Sequence, residues 1–206
     1  MSTIISPDGP ALDDRPPFPV RRWSLEEYHS LINQGMFDDE RVELLEGWIV
    51  PRMTRNTKHE TGLTYIEEQL RPLLGSSMYL RIQQAITTLD SEPEPDLAIV
   101  AGHVADYEDR HPGGGDVLLL VEIADSSLRK DRQKTRIYAA ANVNVVWIAD
   151  LQNRQLEVYS EPMAGSPEYQ NHQIYHLGET VPLKLREHHY AIPVNQLFTR
   201  KTSERS

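Results

Sequence analysis

The stretch Val117-Leu-Leu-Leu-Val-Glu-Ile-Ala124 constrains the fold of this chain more than any other segment. It is apolar on both faces, which is the pattern of a central strand covered on either side. It is far too short to span a bilayer and is broken by Glu122, so it reads as core and no membrane role is expected. Strand side chains alternate, which places Glu122 on the face of Leu118, Leu120 and Ala124. A carboxylate on a doubly covered strand is costly unless it is paired, hydrogen-bonded or bound to a metal. Two readings are open at this residue: a structural ion pair, or a functional acid.

The rest of the chain arranges itself around that strand. At 206 residues one domain is expected. Residues 1–20 hold Pro7, Pro10, Pro16, Pro17 and Pro19 and read as a disordered leader. The domain should then run over 21–198, with a flexible tail at 199–206. Ser24 and Glu27 form a capping box that opens a helix ending at Gly35. Two β-type runs from Arg41 to Arg52 flank Glu46-Gly47, a hairpin turn. A second helix is expected over His59 to Leu74, with Pro72 in its last turn. Strands are expected at Tyr79 to Leu89, Asp96 to Val100, Val145 to Ala149 and Leu156 to Tyr159, and a third helix over Ser127 to Ala141. The region 172–198 reads as short strands and turns, with His188-His189 in a turn. Trp48 and Trp147 read as core. Helices and strands in this order give an α/β (α+β) fold, a central mixed β-sheet flanked by helices.

Composition removes several chemistries. The chain has no cysteine, which excludes disulfides, a thiolate zinc site and a cysteine nucleophile. Gly113-Gly114-Gly115 lacks the following Lys-Ser/Thr of a phosphate loop. The N-terminus lacks a signal-peptide layout, so a cytoplasmic protein is expected. A net charge of −10 weighs against a broad polyanion-binding surface. Arg129, Lys130, Arg132 and Arg136 on the third helix form a local basic patch that could meet a phosphate backbone, though a charge run of this kind reads first as a solvated face.

Three charged residues stand out. Asp96 follows Pro95 at the start of a strand, and Glu122 lies on the central one. Two carboxylates on neighbouring strands suit Mg²⁺, which takes one or two carboxylates plus waters and phosphate oxygens. Lys134 shares the sheet-facing stripe of its helix with Ile137, Tyr138 and Ala141, and Asp131 three residues earlier is placed to hold it. A purely structural network of these three charges is the competing reading.

The ordered set Glu43-Leu-Leu-Glu-Gly47, Ile49-Val50, His59, Pro95-Asp96-Leu97, Val121-Glu122-Ile123, Asp131, Lys134, Tyr138 and Val146-Trp-Ile-Ala-Asp150 resembles the Uma-two (Uma2) family of restriction endonucleases within the PD-(D/E)XK superfamily. The resemblance runs from about Trp23 to Phe198. It implies a restriction-endonuclease-like fold and a metal-dependent endonuclease, with Mg²⁺ as cofactor and Mn²⁺ as a substitute. It further implies Asp96 and Glu122 as metal ligands, Lys134 as the group that orients or activates water, and Glu43 as an additional acid. The superfamily lysine two residues after the second acid is Ala124 here, so Lys134 on the next helix is its replacement. Asp125-Ser126 stands where relatives have Ser-Pro, and Asn142 and Asn144 stand where they have Gly and Pro. The nucleic-acid partner implied is DNA. A homodimer is expected, since two sites cut two strands most simply. The alternative is a catalytically inactive module that keeps the fold, which the net charge and Asp125 favour. Gln83 and Gln84, on a strand beside Asp96, are further neighbours to consider.

Overall fold

A computed structural model describes residues 19–52 and 56–198. The expected tail, and all but the last two residues of the expected leader, lie outside the described residues. The chain opens with α1 (Leu25–Asn33), whose Ser24 side chain accepts from the Glu27 amide while Glu27 reaches back to the Ser24 amide. The hairpin β1 (Val42–Leu45) and β2 (Trp48–Pro51) turns at Glu46-Gly47, both at positive φ. Helix α2 (Thr57–Leu70) gives way to a 3₁₀ turn at Arg71–Leu73. The helix was expected to reach Leu74, but Pro72 has no amide proton to continue the ladder.

Six strands form the main sheet: β3 (Met78–Ile82), β4 (Leu97–Ala101), β5 (Val117–Ala124), β6 (Val145–Asp150), β7 (Gln155–Pro162) and β8 (Tyr169–Tyr175), side by side in that order. Every pairing is antiparallel except β5–β6, which helix α3 (Leu128–Ala140) connects as a crossover. The sheet is therefore mixed, as expected, and mostly antiparallel. A second hairpin, β9 (Thr180–Leu185) and β10 (His188–Pro193), follows.

Both faces of the sheet are covered. Leu63, Ile66 and Leu70 of α2 pack with Val181, Leu183 and Ile192 against Leu97, Ile99, Leu119, Val121 and Ile123. On the opposite face Tyr138 of α3 packs with Ala98, Val100, Leu120 and Val146. Gly114 fixes the far end of α3, since a Cβ there would fall 2.0 Å from the Ala141 carbonyl oxygen. The first hairpin joins the domain where the Glu92 amide donates to the Leu44 carbonyl at 2.7 Å.

Three local expectations are corrected. The strand from Tyr79 ends at Ile82 rather than Leu89, because Gln83 turns the chain at φ 54°. His188-His189 lies in β10, and the turn is the preceding Arg186-Glu187. Trp147 is fully buried, whereas Trp48 is only half-buried.

Candidate active site

The site forms where β4 begins and β5 ends. The antiparallel register sets Leu97 opposite Val121, which brings Asp96 alongside the end of β5. The Ile123 amide donates to Asp96 Oδ2 at 2.8 Å, and His59 Nε2 lies 3.0 Å from the same oxygen. Asn56 caps α2 by accepting from the His59 amide, which sets that histidine in the first helical turn. Burial pushes against ionisation of Asp96, but the His59 and Ile123 hydrogen bonds win and hold its carboxyl below the usual value.

Glu122 points to the face of β5 that α3 covers, the face on which the register also places Asp96. Its Oε1 accepts from Tyr138 Oη at 2.5 Å and lies 2.6 Å from Lys134 Nζ. The residues Lys130, Lys134 and Tyr138 recur every four positions, so one helix face carries all three inward. Glu43 on β1 reaches the same place from the first hairpin. Its Oε2 is 3.2 Å from Lys134 Nζ and its Oε1 is 2.8 Å from Lys130 Nζ. Glu43 also accepts from the Glu94 amide at 3.2 Å.

These contacts shift the ionisation of the cluster in definite directions. Burial opposes the charge on Lys134, yet Glu122 and Glu43 together raise its pKa well above the usual lysine value. Its side chain is 4% exposed, so the ammonium does not snorkel to solvent. Burial likewise opposes ionisation of Glu43, but the Lys134 and Lys130 ammoniums lower its carboxyl to about 2. Glu122 is raised by burial and by the Asp96 charge, with Lys134 working against both. Asp131 is raised well above the carboxylate range by burial and by Glu122.

Asp131 was expected to hold Lys134. It accepts instead from Ser127 Oγ at 2.5 Å, and Lys134 pairs with Glu43 and Glu122. The basic patch is a solvated face only in part: Arg129 is exposed, but Lys130 is on Glu43, Arg132 on buried Glu157 of β7, and Arg136 on Glu46 of the first turn. Gln83 donates its amide to the Asp96 carbonyl at 3.0 Å, but neither Gln83 nor Gln84 lines the cleft. Asp125 sits on the rim and accepts from Asn56 Nδ2 at 2.7 Å.

The side chains of Glu43, Asp96, Glu122 and Asp131 thus share one cleft with Lys130, Lys134 and His59. Its cavity measures ≈ 80 Å³, more than the ~10–15 Å³ one water needs. Among the described residues no three His, Asp or Glu side chains are grouped as a ligand set. A metal must then rely on a carboxylate pair completed by water, a donor set that suits Mg²⁺ or Mn²⁺. The sequence set Tyr138 on the stripe of Lys134 without a role in the site, and read Lys130 only as part of the basic patch. Their spacing of four from Lys134 is the signal that could have assigned them to the site.

A family model described as "Uma2: Putative restriction endonuclease" matches residues 25–194. The fold is similar to a solved structure from Anabaena variabilis described as "a putative nuclease belonging to DUF820", with a TM-score of 0.63. The two share 16% identity, over 87% of this chain and 97% of the other. No match is found among curated protein sequences.

Proposed function

This chain belongs to the Uma2 family and has a restriction-endonuclease-like fold, and from that premise we propose that it is a metal-dependent endonuclease that hydrolyses DNA phosphodiester bonds. The observation that carries this reading is the convergence of Asp96, Glu122 and Lys134 on one cleft, with Lys134 Nζ 2.6 Å from Glu122. Asp96 and Glu122 would hold the cation, Mg²⁺ or Mn²⁺. When bound, such a cation stabilises charge on the phosphoryl oxygens and lowers the pKa of water.

The chain's own groups divide the remaining work. The Ile123 amide and His59 fix the Asp96 carboxylate from two sides. Tyr138 and Lys134 fix Glu122 in the same way. Lys134 is an ammonium at neutral pH, so it is a donor that orients water and steadies negative charge in the transition state, and does not itself remove a proton. Glu43 keeps that ammonium charged and in place. A two-fold dimer in the cytoplasm would bring one such cleft to each strand of a duplex.

A second reading, an inactive binding module, is favoured by Asp125 on the rim and by the net charge of −10. Incubation with supercoiled plasmid in Mg²⁺ separates the two. Relaxation that disappears in Asp96→Asn supports the nuclease. Metal-dependent retention of intact plasmid without cleavage supports the module.

A further inference from the structure

Five cations lie along α3, and the cleft uses two of them. Arg132 is drawn away to Glu157, where its Nε lies 3.0 and 3.1 Å from the two carboxylate oxygens. Arg136 is drawn away to Glu46, with Nε 2.8 Å from Oε1. Arg129 is exposed and does not line the cleft. Lys134 and Lys130 remain, one helical turn apart, each held by one oxygen of Glu43. Their surroundings differ. Lys134 is sealed among carboxylates, while the Lys130 side chain is 25% exposed and stands at the mouth.

A phosphodiester approaching this cleft meets the acids Asp96, Glu122, Asp125 and Asp131 in a protein of net charge −10. Entry requires a cation that reaches solvent and stays in register with the reacting centre. Arg52 also lines the cleft, but its guanidinium is bound to the Glu94 carboxylate and donates to the Glu94 carbonyl at 3.1 Å. Among the described residues Lys130 pairs with Glu43, which also fixes Lys134.

We propose that Lys130 contacts a backbone phosphate of the nucleic acid in the cleft, with Glu43 as the positioning residue that holds it in register with Lys134. This rests on the nuclease reading and goes beyond it by naming a substrate contact. A compact ammonium on a flexible stem suits a phosphate as a point charge, without base readout. Lys130 therefore contributes affinity that is independent of sequence and sensitive to salt.

The test is the salt dependence of binding to a fluorescent duplex in Ca²⁺, with the probe shown intact on a gel. Neutralising one phosphate contributes about 0.9 to the slope of log K against log[salt]. Lys130→Gln is expected to weaken binding on duplexes of unrelated sequence alike and to lower the slope by about 0.9, and Lys130→Arg to restore it. Arg129→Gln, one residue away on the same helix, should leave the slope unchanged. An unchanged slope in Lys130→Gln overturns the proposal. So does an equal loss in Arg129→Gln, which would mean general charge rather than a contact. Failure of the wild-type chain to bind any duplex is a different result: it defeats the nuclease reading itself.

Discussion

Lys134 Nζ lies 2.6 Å from Glu122 Oε1 although the two residues belong to different elements, the end of strand β5 and the middle of helix α3. The crossover between the parallel strands β5 and β6 lays α3 back over the sheet face that Glu122 occupies. A lysine on that helix thereby arrives beside an acid of the strand.

Replacing Lys134 by alanine leaves Glu122 and Glu43 buried without their shared cation. Breaking a buried pair from one side costs about 3–5 kcal/mol. Plasmid cleavage should disappear and the melting temperature should fall by roughly 10 °C, at ~2–4 °C per kcal/mol for a domain of this size. Wild-type cleavage in a folded Lys134→Ala chain would assign the work to another group.

Tyr138→Phe removes only the hydroxyl that donates to Glu122 at 2.5 Å. Loss of a group that orients a metal ligand costs ~10–100-fold in metal affinity or activity. Calorimetric Mn²⁺ titration and initial cleavage rates should both show a drop of that order, with the far-ultraviolet circular dichroism unchanged.

Asp131→Asn should stabilise the metal-free protein. Burial and Glu122 raise the Asp131 pKa well above its ordinary value of 3.8. The folded chain then binds this proton more tightly than the unfolded one, so its contribution to stability is lost as pH rises above that value. An asparagine removes the charge and keeps the shape. Melting in EDTA at pH 7 should rise by several degrees, and a fall would contradict the electrostatic assignment.

Glu43 carries the opposite sign. Its pKa falls from 4.5 to about 2 on folding. Its contribution is present above pH 4.5 and is lost as pH falls toward 2, an effect of at most about 3 kcal/mol. Urea unfolding of Glu43→Gln should show a flatter dependence on pH across that window than the wild type.

The sequence exposed those parts of the site in which a residue contradicts its surroundings. Glu122 in an apolar strand and Lys134 on a buried stripe were legible for that reason, and they meet. The sheet-forming runs and the capping box were legible because local periodicity and capping follow from covalent geometry. Long-range partners were not. Arg132 and Arg136 sit on a polar helix pattern, and only the tertiary fold brings Glu157 and Glu46 to them. Asp131 lay at helical pairing distance from Lys134, but two acids on other elements outcompete it. The end of β3 turned on the positive φ of Gln83, which no pattern of apolar residues encodes.

The most direct test of the catalytic assignment is diffraction from crystals soaked in Mn²⁺, read at the manganese absorption edge. An anomalous peak bridged by the Asp96 and Glu122 carboxylates, with the Lys134 ammonium beside it, is the expected result. A peak bound elsewhere, or saturation with manganese in solution while these two carboxylates stay unliganded, would contradict it.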